Sequence, residues 1–291
     1  MTYYQCPLCA TPLTLQPTGK HYACQNQHHF DVAKEGYLNL LPVQHKHSLE
    51  PGDSKQMLQA RRGFLEAGYY AKMAESVAMM IAAHCPSHQN LRLLDLGCGE
   101  GYYSRGLARF MEEQTPVELH GVDIAKFAIA AAAKKQSNAR FVVASTSRLP
   151  YVDHYFDLVL RVFAPSNALE LNRVLKPSGL LLTVTPGPRH LWQLKEFIYT
   201  DVKEHTLEPE LADGFVRIAT ERIQYQITPN PEQRLALLQM TPFAWRANVQ
   251  VQQSIQSLAE LTIDVDFNLT LAKRLENSQP ISPAAKKEVD E

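Results

Sequence analysis

The stretch LRLLDLGCGEG, Leu91 to Gly101, decides the fold. Its apolar run up to Leu96, carrying Asp95, reads as a buried parallel strand, and Gly97, Gly99 and Gly101 then turn the chain and let a ligand approach the main chain closely. Tyr103, Leu107 and Phe110 follow at helical spacing, so the order is strand, glycine loop, helix. A G-x-G-x-G loop alone is shared with dinucleotide-binding folds, and the next elements have to separate the two. Val117 to Val122 reads as a second strand ending at Asp123, about twenty residues past the loop, where a carboxylate can accept hydrogen bonds from ribose hydroxyls. A helix over Ala125 to Lys135 and strands over Arg140 to Ala144, Phe156 to Phe163 and Leu180 to Thr185 complete the pattern, the last after the turn Lys176-Pro177-Ser178-Gly179. This alternation predicts an α/β doubly wound sheet with its ligand at the carboxyl ends of the strands. Asp95, Gly97, Gly99, Glu100, Gly101 and Asp123 are the candidate cofactor residues.

The N-terminus carries a different chemistry. Cys6 and Cys9 form C-x2-C, and Cys24 opens C-x3-H ending at His28, with a small hairpin expected between them around Pro12, Gly19 and Lys20. Two short knuckles of thiolate and imidazole suit one tetrahedral zinc, and a segment this short needs the metal to fold. Spacing alone allows His28 or His29 to close the site. Three thiolates and one imidazole leave no open coordination position, so the zinc is expected to be structural.

At 291 residues with a formal charge of −1, the chain offers no global field for polyanions, and any nucleic-acid surface has to be a local patch. It has no apolar run long enough to span a membrane and opens on a cysteine-bearing segment where a signal peptide would carry an apolar core; a cytoplasmic location is expected. Its five cysteines argue against a disulfide framework. The expected organisation is a zinc-binding domain over 1–40, a connecting arm and helix over 41–68, the catalytic domain over 69–275 and a disordered tail over 276–291, rich in Pro, Ala, Lys and Glu. The arm is mildly basic, with Lys46, Arg61 and Arg62 as candidate docking charges; Asp53 or Ser54 can cap a helix running to about Glu66, and a second helix is read from Met73 to His84.

The segments DLGCGEG, GVDIA and RVLKPSGLLLTVTP resemble the class I S-adenosylmethionine-dependent methyltransferase pattern over roughly residues 91 to 185. That resemblance implies that Gly97, Gly99, Glu100 and Gly101 surround the methionine portion of the cofactor and that Asp123 binds its ribose. Two departures stand out. Ser145 and Thr146 occupy the place after the third strand where many relatives carry an acid for the adenine amino group. Val162-Phe163-Ala164-Pro165 replaces the Asn/Asp-Pro-Pro-aromatic platform of exocyclic amino methylation, which points to another kind of acceptor.

The zinc knot, FDVAKEGYLNLLPVQHK, DSKQMLQARRGFLEAGYY, LGCGEGYYS, TPGPRHL and LLQMTPFAWRA together resemble the RlmA family of large-subunit ribosomal RNA guanine-N1 methyltransferases, up to about Phe267. By that resemblance Cys6, Cys9, Cys24 and His28 bind zinc, and Tyr70, Glu100, Gly101 and His190 contact S-adenosylmethionine. It implies a hairpin of 23S ribosomal RNA as substrate and a homodimer as the working state. Guanine N1 carries a proton at neutral pH, so some group has to remove it; the sequence assigns no catalytic base, with His190 a candidate. Phe163, Phe243 and Trp245 could receive a base leaving its stack. The rivals are a small-molecule methyltransferase of the same fold and a non-enzymatic zinc-ribbon module.

Overall fold

The computed structural model describes residues 2–45, 52–85, 90–112, 115–136, 138–205 and 211–276. Lys46, His47, Glu50 and Pro51 of the arm and the tail from Asn277 lie outside the described residues. The N-terminal ribbon is a four-stranded antiparallel sheet of β1 (Tyr4–Gln5), β2 (Pro12–Leu15), β3 (His21–Ala23) and β4 (His29–Asp31). Its β2–β3 hairpin turns through Gly19 at φ 69°, a backbone conformation that suits glycine.

The main sheet has eight strands. In chain order they are β5 (Leu38–Asn39), β6 (Leu91–Leu96), β7 (Val117–Asp123), β8 (Arg140–Val143), β9 (Phe156–Val162), β10 (Leu175–Pro186), β11 (Phe215–Ile227) and β12 (Ile263–Arg274). They lie side by side in the order β11-β12-β10-β9-β6-β7-β8-β5. The strands from β10 to β5 are parallel neighbours, as the alternation predicts, whereas β12 runs antiparallel to both β10 and β11. Neither this long terminal pair nor β5 is expected from the strand pattern of the sequence, which ends at Thr185. The ribbon's exit strand thus joins the catalytic sheet at Leu38, inside the segment read as zinc-binding domain.

The helices are α1 (Lys55–Glu66), α2 (Ala71–His84), α3 (Tyr102–Met111), α4 (Lys126–Lys135), α5 (Ala168–Val174), α6 (Trp192–Glu196), α7 (Pro231–Gln239) and α8 (Val249–Ser257). Ser54, the second of the two candidate caps, starts α1: its Oγ accepts the Met57 N–H at 3.2 Å. Strand alternation sorts the core into two faces. Leu93, Leu158, Leu160 and Leu182 meet α2, α3 and α7 on one side. On the other side Leu94, Leu96, Val122 and Val159 share a cluster with Tyr4, Cys6, Leu13 and Cys24 of the ribbon. The fully buried Arg234 ties α7 to the far end of α8, donating to the carbonyls of Pro229 at 2.8 Å and Leu258 at 2.7 Å.

Candidate cofactor and zinc sites

The knuckles bring their four ligand atoms within 4.8 Å of one another: Cys6, Cys9, Cys24 and His28. Cys9 Sγ lies 3.7 Å from Cys24 Sγ, far beyond a disulfide bond, and His28 Nδ1 lies 3.4 Å from both Cys6 and Cys24 Sγ. A tetrahedral zinc with sulfur at about 2.3 Å and nitrogen at about 2.0 Å sets sulfurs about 3.8 Å apart and sulfur to nitrogen about 3.5 Å. The donor set therefore fits zinc, and it resolves the choice between histidines: His29 is outside the cluster and lies beside His21 instead. Gln27, at φ 58°, makes the tight turn that aims His28 back at Cys24.

At the carboxyl ends of β6 and β7, Gly97, Gly99 and Gly101 take φ of 71°, 53° and 70°. A Cβ on Gly97 would sit 2.5 Å from the Ala164 Cβ, so the loop and the segment after β9 touch only because the side chain is missing. Asp123 organises the floor: Oδ2 accepts the Gly99 N–H at 2.9 Å and Oδ1 the Ala125 N–H at 2.8 Å. Burial nonetheless raises its carboxyl above the usual range. Asp95 is buried, its Oδ2 has no hydrogen-bond partner among the described residues, and burial pushes the carboxyl up to about 7. An orphaned buried acceptor of this kind calls for a donor from a ligand or water, and the ammonium of an amino-acid moiety is one.

Glu100 behaves differently from its neighbours. Its carboxylate takes a bidentate pair of bonds from Arg62, Nε to Oε2 at 2.7 Å and Nη2 to Oε1 at 2.5 Å, with Lys135 Nζ at 3.5 Å. This clamp fastens α1 across the loop. Arg61 is likewise engaged, with the Asp53 carboxylate and the Met240 carbonyl. Two of the three arm cations are thus committed within the molecule. Ser145, in the adenine-acid position, accepts the Ser147 N–H at 3.2 Å and closes a local turn.

Tyr70 and His190, 120 residues apart, meet at 3.5 Å between the hydroxyl and Nε2. Both are buried, and Phe267 packs edge-on against Tyr70 and 4.8 Å from the His190 ring. His190 Nδ1 accepts the Asp266 N–H at 3.3 Å, which places the ring proton on Nε2; burial, then the charge of Lys195, depresses its pKa to about 3. Phe163, at φ 54°, is held in a left-handed conformation costly for a side chain of this size and stacks on His190 at 5.9 Å while staying 44% exposed. Gly97, Ala164, Phe163, His190 and Tyr70 therefore form one continuous wall. Behind it the Asp266 carboxylate accepts Arg222 Nε at 2.9 Å and Nη2 at 2.8 Å and the Arg189 N–H at 2.9 Å. Burial would raise that carboxyl, but Arg222 outweighs it and holds it below the usual range. Sequence reasoning missed Asp266 and Phe267, and the alternation in IDVDFNLTLA was the available signal.

Fold and loop together define a class I methyltransferase with an N-terminal zinc ribbon. A family model described as the N-terminal part of RlmA, a zinc ribbon, matches residues 4–49, and a methyltransferase-domain model matches residues 87–233. A 23S rRNA (guanine(748)-N(1))-methyltransferase from Streptomyces fradiae is 32% identical over 92% of this chain and 96% of its own. A Bacillus subtilis protein, whose name assigns it 23S rRNA guanine-N1 methylation provisionally, is 32% identical over 91% of this chain and 95% of its own. By contrast, a malonyl-[acyl-carrier protein] O-methyltransferase from Halorhodospira halophila is 35% identical over only 36% of this chain and 38% of its own. The chain belongs to the family of 23S ribosomal RNA guanine-N1 methyltransferases. Its methyl donor is S-adenosylmethionine and it carries a structural zinc.

Proposed function

We propose that this protein methylates N1 of a guanine in a hairpin of 23S ribosomal RNA, acting as a homodimer in the cytoplasm. The observation that carries the reading is the coverage: likeness to the guanine-N1 relatives runs through ribbon and catalytic sheet alike, over 92% of the chain for the Streptomyces fradiae enzyme. The small-molecule relative matches little more than a third of it. Among the described residues no helix is long and apolar enough to cross a membrane. In this reading residues 1–40 form the zinc domain, bound through Cys6, Cys9, Cys24 and His28, and residues 69–275 hold the cofactor, with 41–68 joining them.

S-adenosylmethionine supplies an electrophilic methyl group on a sulfonium; the chain's own residues position its acceptor. Gly97, Gly99 and Gly101 give the methionine portion access to the main chain, and the free lone pair on Asp95 accepts from its ammonium. Asp123 offers its remaining lone pairs to the ribose hydroxyls. Glu100 takes part through its backbone, since Arg62 and Lys135 hold its carboxylate. The exposed face of Phe163 receives the extruded guanine, with Tyr70 and Phe267 excluding water behind His190. His190 is a neutral wall and a hydrogen-bond donor from Nε2. It does not serve as the base, because its one ring-nitrogen lone pair is taken by the Asp266 N–H.

The test is transfer from labelled S-adenosylmethionine to a 23S ribosomal RNA transcript, followed by nucleoside mass spectrometry. We expect 1-methylguanosine. Label in any other nucleoside, or in metabolites and not in RNA, overturns the reading.

A further inference from the structure

Trp245 is 83% exposed, more than any other large apolar side chain described, and it follows Phe243 in the 3-10 turn Pro242–Arg246. An indole held in water on a rigid turn is an unusual surface feature. Around it rings and cations alternate. Phe243 packs edge-on against Tyr199 at 6.0 Å and the Arg246 guanidinium sits 5.3 Å over Tyr199, while the buried Lys195, its Nζ 5.8 Å from the Phe243 ring centre and 2.8 Å from His205 Nε2, supports the turn from beneath. Arg189 covers Trp192 at 4.6 Å, and it also pairs with Asp264 at 3.2 Å. The series starts at the cofactor site: Arg189 precedes His190, α6 follows it, and Phe163 stacks on His190 with its outer face open. Nucleotides next to a guanine lying on Phe163 would run onto this surface.

We propose that α6 and the Pro242–Arg246 turn bind single-stranded nucleotides flanking the target guanine, with Trp245 as a stacking platform and Arg246 as a phosphate contact. The assignment rests on the RNA reading above. Flat rings that accept any base, interleaved with cations that track the backbone, are the chemistry of single-strand recognition. The arm is the weaker candidate, because Arg61 and Arg62 have carboxylate partners, whereas Arg246 has none among the described residues.

The chain has two tryptophans, Trp192 and Trp245, both on this surface, so intrinsic fluorescence reads it directly. In a Trp192→Phe protein, the emission of Trp245 should be quenched by a 23S ribosomal RNA hairpin transcript. Trp245→Ala should raise KM for that transcript about tenfold, with Trp245→Phe recovering most of the loss. Arg246→Glu should weaken RNA binding and flatten the dependence of log Kd on log salt by about 0.7, the share of one single-strand phosphate contact. Calorimetry with S-adenosylmethionine, unchanged in each variant, verifies folding. If the wild type methylates the transcript while Trp245→Ala and Arg246→Glu keep its KM, the surface assignment falls and the function stands. If Trp245→Ala instead converts a dimer to monomer in sedimentation with RNA affinity intact, the surface is an interface between copies and the assignment is wrong. If the wild type neither binds nor methylates the transcript, the function reading fails and the assignment with it.

Discussion

Asp123 has more than one task, and substitution there separates it from the other loop carboxylates. Its two oxygens hold the N–H groups of Gly99 and Ala125 before any cofactor arrives. Asp123→Ala therefore loosens the loop and, on the proposed reading, removes a ribose partner as well, and calorimetry should show S-adenosylmethionine binding weaker by about 1–3 kcal/mol. An unchanged dissociation constant would take Asp123 out of the site. His190 yields a second expectation. With its pKa depressed to about 3 it is uncharged throughout the working range. The pH profile of kcat should accordingly show no inflection near 6.5 that disappears in His190→Asn; finding one would restore His190 as the base. Asp95, the glycines and Asp123 stand out in the sequence because their strand-loop-helix setting is local, and the fold gathers them at the carboxyl ends of β6 and β7. Tyr70 and His190 could not, since their meaning lies in a contact across 120 residues; only likeness to a family singled them out.

At the scale of elements, a charged and aromatic seam at the amino ends of β6, β7 and β8 joins ribbon and catalytic sheet. Tyr3 Oη accepts Arg140 Nε at 2.8 Å, the Val152 N–H reaches the Tyr3 carbonyl at 3.0 Å, and Tyr4 bridges to Tyr151. Glu118 sits in the middle, accepting from Tyr155 Oη at 2.8 Å and from His120 Nε2 at 3.3 Å, with Arg140 at 3.2 Å. The His120 bond, then that of Tyr155 and the charges of His120 and Arg140, hold its carboxyl at about 2 despite burial. A depressed carboxylate contributes stability above its unfolded pKa near 4.3 that fades as pH falls through the folded value. Glu118→Gln should lower the melting temperature at pH 7, with the gap to wild type closing between about pH 4 and 2. A constant gap over that range would remove Glu118 from the seam. None of this was read from sequence: β5 is two residues long, β1 likewise, and such pairings arise from tertiary contact and leave no periodicity. β11 was missed for a related reason. As an edge strand its alternation is blurred by Arg217, Thr220, Glu221 and Arg222.

For the whole molecule, the zinc site and the catalytic sheet share a core. Cys6 and Cys24 belong to the same buried cluster as Leu94, Leu96 and Val122. Calorimetric unfolding should show one transition that moves to lower temperature with a zinc chelator or with Cys24→Ser. Two transitions, of which chelation affects only the first, would contradict a common core. The doubly wound centre from β6 to β10 was recognisable in the sequence because strand and helix periods alternate there. The ribbon's three cysteines were recognisable because zinc demands their spacing, whereas the choice of His28 over His29 needed the folded cluster. How the two halves dock was not, because it depends on aromatic packing between segments remote in the chain. Mass spectrometry of 23S ribosomal RNA from cells lacking the protein shows whether this fold places a methyl group on N1 of a guanine there. One 1-methylguanosine should be lost and should return with the wild-type chain but not with Asp123→Ala. An unchanged set of modified guanines would contradict that placement.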